Sequence, residues 1–423
     1  MGCHCPHLLI TRRYRRHSSP PLLKSTAVLV VDSRICLCGA SAAETSWSLW
    51  HRHHCCTEHR SIAYSVLPLN MQVAKRVQAM QQPMRMEFSS LGEESDIVNL
   101  SPGFPDYPPP VFLLNALQDA IASNSFHQYT RGSGHPRLVN ALSQMYSRLI
   151  GRKIDPENEV LVTVGAMEAL YAVFLGLVNP GEEVIIIEPF FPSYEPQTLS
   201  AGGVPVFVSL RPRKEGLISS ADWVLDPREL ASKFNFKTKI IVINNPHNPL
   251  GKVFSQEELE MIADLCRTHN VICVMDEVYE WILYDGIEHI RMNTLPGMWE
   301  RTITLGSAGK ACGATGWRVG WAYGPEHLLK GLRRIHENCI CTVSTLMQHQ
   351  NWRYKAMKTK VTSSHNGCAE KRYLMVTPGS AFYSEDAQLL AKDFIRICYA
   401  KDDTTLLKAA AILEGLKTML SRN

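Results

Sequence analysis

The sequence predicts an α/β protein: a mostly parallel sheet flanked by helices. Two observations carry that reading. From about residue 95 the chain alternates short, almost wholly apolar runs with helix-length amphipathic stretches. Apolar runs of four to eight residues without in–out alternation fit strands buried on both faces, which is how parallel sheets are covered. The second is composition. Of 423 residues, 45% are hydrophobic and 20% charged, enough apolar material for two or three packed domains and unlike collagen, coiled-coil or disordered chains. No run approaches eighteen consecutive apolar residues, so a membrane-spanning helix is not expected.

Taken in order, the strand candidates are Val160–Val164, Val184–Glu188, Pro205–Leu210, Ile240–Asn244, Val271–Asp276 and Thr302–Leu305, with Arg318–Tyr323 as a seventh. Most are dominated by Val, Ile, Leu or aromatic residues. Helix candidates lie between or after them, including Ala166–Leu177, Gln256–Thr268 and Ala409–Leu420. Ligand sites in such sheets collect beyond the carboxyl ends of the strands.

The net charge of +4 divides unevenly. Residues 1–70 carry eight Lys and Arg against three Asp and Glu; the remainder carries 36 against 37. The body therefore lacks the basic surface that nucleic acid requires. Arg12, Arg13, Arg15, Arg16 and Lys24 precede the first acidic residue, among several Ser and Thr. That composition is like a mitochondrial transit peptide; an unstructured leader ahead of a cytoplasmic protein is the alternative. Met71 is a plausible start of the folded part. Gly2 does not begin a myristoylation motif, because Pro6 stands where Ser or Thr is needed. His51, His53, His54, Cys55 and Cys56 lack a second ligand pair at tetrahedral spacing, so no metal site is expected. Six of thirteen cysteines fall in the first seventy residues; the others, as in Val271-Ile272-Cys273-Val274, read as reduced, buried thiols.

Three features sit at strand ends. Asn244-Asn245-Pro246-His247-Asn248-Pro249-Leu250-Gly251-Lys252 follows a buried strand and reads on its own as a turn. Asp276-Glu277-Val278-Tyr279 closes an apolar run, where a carboxylate is costly unless a cation or hydrogen bond compensates it, or unless it caps a helix. Ser307-Ala308-Gly309-Lys310 precedes Thr315-Gly316-Trp317-Arg318, and its lysine is either a phosphate binder or a surface charge. Their joint order resembles fold-type I pyridoxal-phosphate aminotransferases. Val98-Asn99-Leu100, Gly103-Phe104-Pro105-Asp106, Gln128-Tyr129-Thr130-Arg131, Glu188-Pro189-Phe190-Phe191 and Leu295–Arg301 narrow the likeness to kynurenine aminotransferases, also called glutamine transaminase K or cysteine-S-conjugate β-lyases, of the type III kind. The likeness is dense over residues 95–345 and looser over 376–420.

The resemblance implies a large cofactor-binding domain at 113–325 preceded by an arm at 71–112, an extension at 1–70 and a shortened α+β small domain at 326–423. It implies pyridoxal 5'-phosphate as cofactor, bound covalently by Lys310, which would then serve as the acid–base group. Asp276 would pair with the protonated ring nitrogen. Asn248 and Tyr279 would bond the ring oxygen, and Phe191 would stack on the ring. Ser307, Arg318 and the helix start at Ala166 and Met167 would hold the phosphate, and Tyr129 would reach the phosphate of a neighbouring subunit in a homodimer. Arg396 would grip the substrate carboxylate, with Gly103 allowing close approach. The reaction implied is transfer of an amino group from kynurenine, glutamine or an aromatic or sulfur amino acid to a 2-oxo acid, with β-elimination where the substrate carries a leaving group. The other reading is a protein that binds the cofactor but is catalytically impaired and acts only as a dimer partner.

Three departures from the family pattern bear on this. Ala311-Cys312-Gly313 stands where Thr-Phe-Ser is usual, and Arg85 falls near an expected substrate-facing Trp. Between Thr345 and Pro378 the chain is short by several tens of residues and runs through the basic stretch Gln350–Lys371, as from an internal deletion. That loss puts the position of Arg396 in question.

Overall fold

The computed structural model describes residues 73–78, 97–213, 219–284, 286–349, 373–375, 377–391 and 394–420. The expectations for residues 1–70, Met71, Arg85 and Gln350–Lys371 fall outside those residues.

Seven strands form the central sheet: β1 (Val160–Thr163), β2 (Glu183–Glu188), β3 (Val204–Ser209), β4 (Thr238–Asn244), β5 (Ile272–Asp276), β6 (Thr302–Ser307) and β7 (Gly320–Tyr323). Their order across the sheet is β1-β7-β6-β5-β4-β2-β3. The five from β6 to β3 are parallel. β7 runs antiparallel to both β1 and β6. All seven expected strands are present. The fourth begins two residues earlier and the sixth ends two residues later than expected; the seventh starts at Gly320 instead of Arg318, because Arg318 has a φ of 54° and a left-handed residue cannot extend a strand.

Apolar runs become strands here because both faces are sealed. Along β2, Val184 and Ile186 join one core while Ile185 and Ile187 join the other. β4 divides the same way, with Ile240 and Val242 opposite Ile241 and Ile243. This is the period-2 alternation of a strand with two dry faces, each such side chain contributing roughly 1.5–3 kcal/mol of burial.

Helices α1 (Pro136–Ile150), α2 (Gly165–Leu177), α3 (Gln256–His269), α4 (Glu326–Cys339) and α5 (Asp403–Leu420) are the long ones that bear on the site. α3 opens with a capping box between Ser255 and Glu258 and closes on left-handed Asn270. α5 begins six residues earlier than expected, since Asp402 Oδ1 accepts from the Thr405 amide at 2.7 Å and supplies the cap. No described helix is long and apolar enough to cross a membrane. Of the six described cysteines, Cys266, Cys273, Cys312 and Cys398 are buried free thiols; Cys339 and Cys341 are exposed.

The C-terminal region is slight. Ile97–Asn99 pairs with Tyr373–Met375 in parallel, and Thr377–Pro378 pairs with Ile395–Arg396 antiparallel. Two small clusters hold it, one of Val98, Leu100 and Ala409 and one of Phe382, Tyr383 and Ala391.

Candidate active site

β4, β5 and β6 end side by side, with Asn244 opposite Asp276 and Asp276 opposite Leu305. Asn244 fastens two of these ends. Its Nδ2 donates to the Asp276 carbonyl at 2.8 Å, and its Oδ1 accepts from the Asn248 amide at 2.6 Å. The Asn245–Lys252 turn is therefore folded back over the end of β5 instead of running into solvent.

Asp276 is only 4% exposed and accepts a 2.6 Å hydrogen bond from the Tyr194 hydroxyl. Burial pushes its carboxyl up to about 6, against the pull of the Tyr194 bond and the nearby Lys310 charge. A carboxyl in that condition ionises readily when a cation is placed beside it. Burial and the same carboxylate raise the Tyr194 phenol, which therefore stays a donor.

Lys310 lies on the short helix Ala308–Ala311, where Ser307 Oγ caps it by accepting from the Lys310 amide at 3.3 Å. Its Nζ donates to the Gly103 carbonyl and lies 5.6 Å from the Tyr279 ring centre. Tyr279 is raised above an ordinary phenol by burial and then by Asp276, so its hydroxyl remains protonated at neutral pH.

The phosphate end fits an anion. Left-handed Gly165 opens α2, and no side chain caps that helix, which leaves its first amides for a ligand. The Arg318 guanidinium rests on this glycine: a Cβ there would come within 2.6 Å of Nη2. Arg318 donates to the carbonyls of Thr315 at 3.1 Å and Val164 at 3.4 Å. A Cβ on Gly320 would strike the Gly165–Ala166 backbone, so β7 packs directly on this turn.

Arg396 stands at the opposite rim. Its Nη2 donates to the Ser101 carbonyl at 2.6 Å and Thr377 Oγ1 at 3.2 Å, and its guanidinium lies 5.3 Å over the Phe382 ring. A Cβ on Gly103 would sit 3.0 Å from Arg396 Nη1. Three further bonds tie the same two segments: Cys398 N to Leu100 O at 2.9 Å, Lys401 Nζ to Phe104 O at 2.8 Å, and Asp402 N to Asp106 Oδ1 at 2.6 Å. The short C-terminal region thus keeps Arg396 beside Gly103. A cavity of about 210 Å³ opens next to it, lined by Pro189, Trp223, Pro249, Tyr383 and Phe394 among others. A larger depression of about 440 Å³ between Pro227 and Leu265 lies among none of the site residues.

Lys310, Gly103, Arg396, Tyr279 and Asp276 are thus joined. Ser307 is joined to Lys310, Arg318 to Gly165, and Asn248 to Asp276 through Asn244. Phe191 meets Tyr194 edge-on at 5.7 Å; Met167 is held through its carbonyl and sulfur by Gln197 Nε2 at 3.3 Å. Tyr129 stands apart, 86% exposed. Cys312 is buried, its thiol pushed up to about 12, and offers no nucleophile. Sequence reasoning missed Tyr194, which lies on a helix start four residues after Phe190 with no motif to mark it. It also read Asn244 as part of a turn, without its two anchoring bonds. A buried acid between a phenol and a lysine, with an anion cradle where β1 ends beside the start of β7, suits a phosphorylated pyridine ring, so the residues present fit pyridoxal phosphate.

Comparison with known proteins agrees with this chemistry. Residues 95–352 match the model of the aminotransferase class I and II family. The chain is 52% identical over 279 residues to human kynurenine--oxoglutarate transaminase 1, covering 65% of this chain and 66% of that protein. It is 49% identical over 284 residues to mouse kynurenine--oxoglutarate transaminase 3, covering 67% and 62%. The two likenesses are close to equal, and each match spans slightly under two thirds of the relative's length. Among solved structures, N-succinyldiaminopimelate aminotransferase from Mycobacterium tuberculosis superposes with a TM-score of 0.70 at 32% identity, covering 79% of this chain and 97% of that one.

Proposed function

Because the chain belongs to the class I and II aminotransferase family, we propose that it transfers the amino group of kynurenine, glutamine or an aromatic or sulfur amino acid to a 2-oxo acid. The observation that carries the proposal is Lys310 Nζ lying between the Gly103 carbonyl and the Tyr279 ring, with Asp276 close enough to feel its charge. The family and fold imply pyridoxal phosphate, which when bound supplies an electron sink for the exchange of amino and oxo groups.

The chain's own residues then divide the work. Arg318, Ser307 and the amides of Ala166 and Met167 would hold the phosphate. Asp276 would keep a proton on the ring nitrogen; Asn248 and Tyr279 would bond the ring oxygen, and Phe191 would cover the ring. Arg396 would take the substrate α-carboxylate in its planar fork, with Gly103 leaving room. Lys310 Nζ would hold the cofactor at rest and move the proton at the substrate Cα during turnover. The aromatic-lined cavity beside Arg396 supports a large, flat side chain, and the identity to two kynurenine transaminases supports kynurenine. β-Elimination from substrates with a leaving group is part of the same proposal.

Tyr129, exposed in one chain, supports a homodimer in which it completes the partner's site. The basic, acid-poor front of the sequence supports a mitochondrial address, with the cytoplasm as the alternative. A second reading rests on the slight C-terminal region, whose two sheets have two strands each: the chain binds cofactor but serves only as a dimer partner. One experiment separates the readings. Purified protein loaded with pyridoxal phosphate is given L-kynurenine or L-glutamine, with and without 2-oxoglutarate, while the visible spectrum and, for kynurenine, kynurenate are followed. Kynurenate that depends on Lys310 supports the transaminase. A cofactor band that kynurenine and glutamine leave unchanged supports the silent partner, and no band at all refutes both.

A further inference from the structure

Asp276 and Tyr279 face the site from one turn, and the residues that follow each, Glu277 and Glu280, point the other way into the protein. Glu277 and Glu280 are buried at 0% and 3% exposure, and Arg291 bridges them, one guanidinium nitrogen to each carboxylate. The bridge is anchored on every side. The Tyr146 hydroxyl on α1 donates to Glu280 Oε1 at 2.5 Å, and Trp321 Nε1 on β7 donates to that hydroxyl at 2.9 Å. Tyr146 stacks on Tyr323 of β7 at 4.1 Å, and His289 Nε2 lies 3.0 Å from Glu277 Oε2. Asn293 donates to Tyr323 and to Thr304 of β6 at 3.2 and 3.3 Å. In the backbone, the Glu277 amide bonds to the Leu305 carbonyl and the Glu280 amide to Glu277, both at 3.0 Å.

We propose that Arg291 is a positioning residue for the cofactor ring: by clasping Glu277 and Glu280 it fixes the turn on which Asp276 and Tyr279 stand. The proposal rests on the assignment of pyridoxal phosphate to this site. Two carboxylates on one guanidinium are a demanding arrangement, because a planar fork reaches both and an ammonium does not. Hydrophobic packing alone would cover this turn at no such desolvation cost. The cluster also joins the turn to β7, whose first residue packs on the phosphate turn at Gly165. It therefore sets the spacing between the ring-binding pair and the phosphate cradle. Glu277 adds a second effect, since its charge helps to raise Asp276, and Arg291 partly neutralises it.

Two variants test this in the cofactor-loaded full chain. Arg291→Lys keeps the charge but not the fork. The triple change Arg291→Met with Glu277→Gln and Glu280→Gln removes the cluster's charges together without leaving an orphan carboxylate, and should fold where the first does not. Three quantities are read: affinity for pyridoxal phosphate, competition by inorganic phosphate, and the pH midpoint of the visible cofactor band. Pyridoxal phosphate should bind about tenfold more weakly, with phosphate competition unchanged and the midpoint moved upward by about one pH unit, as Asp276 drifts from the ring nitrogen. Variants with a lower melting temperature but wild-type affinity and midpoint would overturn the proposal. Equal losses for pyridoxal phosphate and phosphate would overturn it too, by showing general damage. A wild-type chain with no cofactor band would instead sink the cofactor assignment, and this inference with it.

Discussion

Replacing Asp276 with Asn should make the cofactor-free protein more stable at neutral pH while crippling its hold on the cofactor ring. The wild-type carboxyl is pushed up to about 6 from its ordinary value of 3.8, with burial as the first cause. A carboxyl that is harder to ionise folded than unfolded favours the folded state below about pH 4, and that advantage is lost as pH rises through 6. The difference between the two values corresponds to about 3 kcal/mol. Asn has nearly the same shape and its Oδ1 can still accept from Tyr194, so most of that amount should return at pH 7.5. Urea unfolding of both proteins, stripped of cofactor, at pH 4 and pH 7.5 gives the comparison; other titrating groups cancel in the difference. Wild type and variant should differ little at pH 4, with the variant ahead by up to about 3 kcal/mol at pH 7.5. A variant no more stable at pH 7.5, or a gap independent of pH, would refute the account of Asp276 as a strained buried acid.

Other outcomes follow from the same geometry. Lys310→Ala should abolish both the visible cofactor band and turnover, while inorganic phosphate still binds at the cradle, as calorimetry would detect. Gly103→Ala places a methyl 3.0 Å from Arg396 Nη1; it should raise KM for the amino acid about tenfold, roughly 1.4 kcal/mol, with cofactor affinity unchanged in a spectrophotometric titration. Gly165→Ala combines a φ of 72° with contact against Arg318, and should cost about 1–3 kcal/mol of stability and most of the phosphate affinity. His247 is held down to about 3 by burial and by Lys252. Its contribution is present above pH 6.5 and is lost as pH falls toward 3, so His247→Asn should flatten the acid limb of a stability–pH curve.

Much of the sheet could be read from sequence because its inner strands are sealed on two sides, while the edge strand β3 is only partly covered. Ile240–Asn244 and Val271–Asp276 show as unbroken apolar runs, and their last residues are polar for a reason that only chemistry supplies. The order Asn-Pro, Asp-x-x-Tyr, Ser-x-x-Lys then located the site, since consecutive strand ends lie side by side. What could not be read depends on contacts between distant segments. Tyr194 meets Asp276 across 82 positions, and Arg396 meets Ser101 across 295; no local pattern encodes either. The antiparallel course of β7 was equally hidden, because an apolar run does not state its direction.

That reversal has an effect on how the protein tolerates change. Ser307 at the end of β6 pairs with Gly320 at the start of β7, so the excursion between them leaves and re-enters the sheet at adjacent positions. Within it lie the serine, lysine and arginine on which the chemistry depends. Both ends are nailed to neighbouring strands, and β7 is paired on its other side to β1 as well. One residue inserted or removed in this excursion has nowhere to be absorbed. It would either rotate the side chains of β7 to the wrong faces, ejecting Trp321 and Tyr323 from the core, or draw Lys310 and Arg318 away from their stations. Length, more than composition, is what this stretch of chain must preserve.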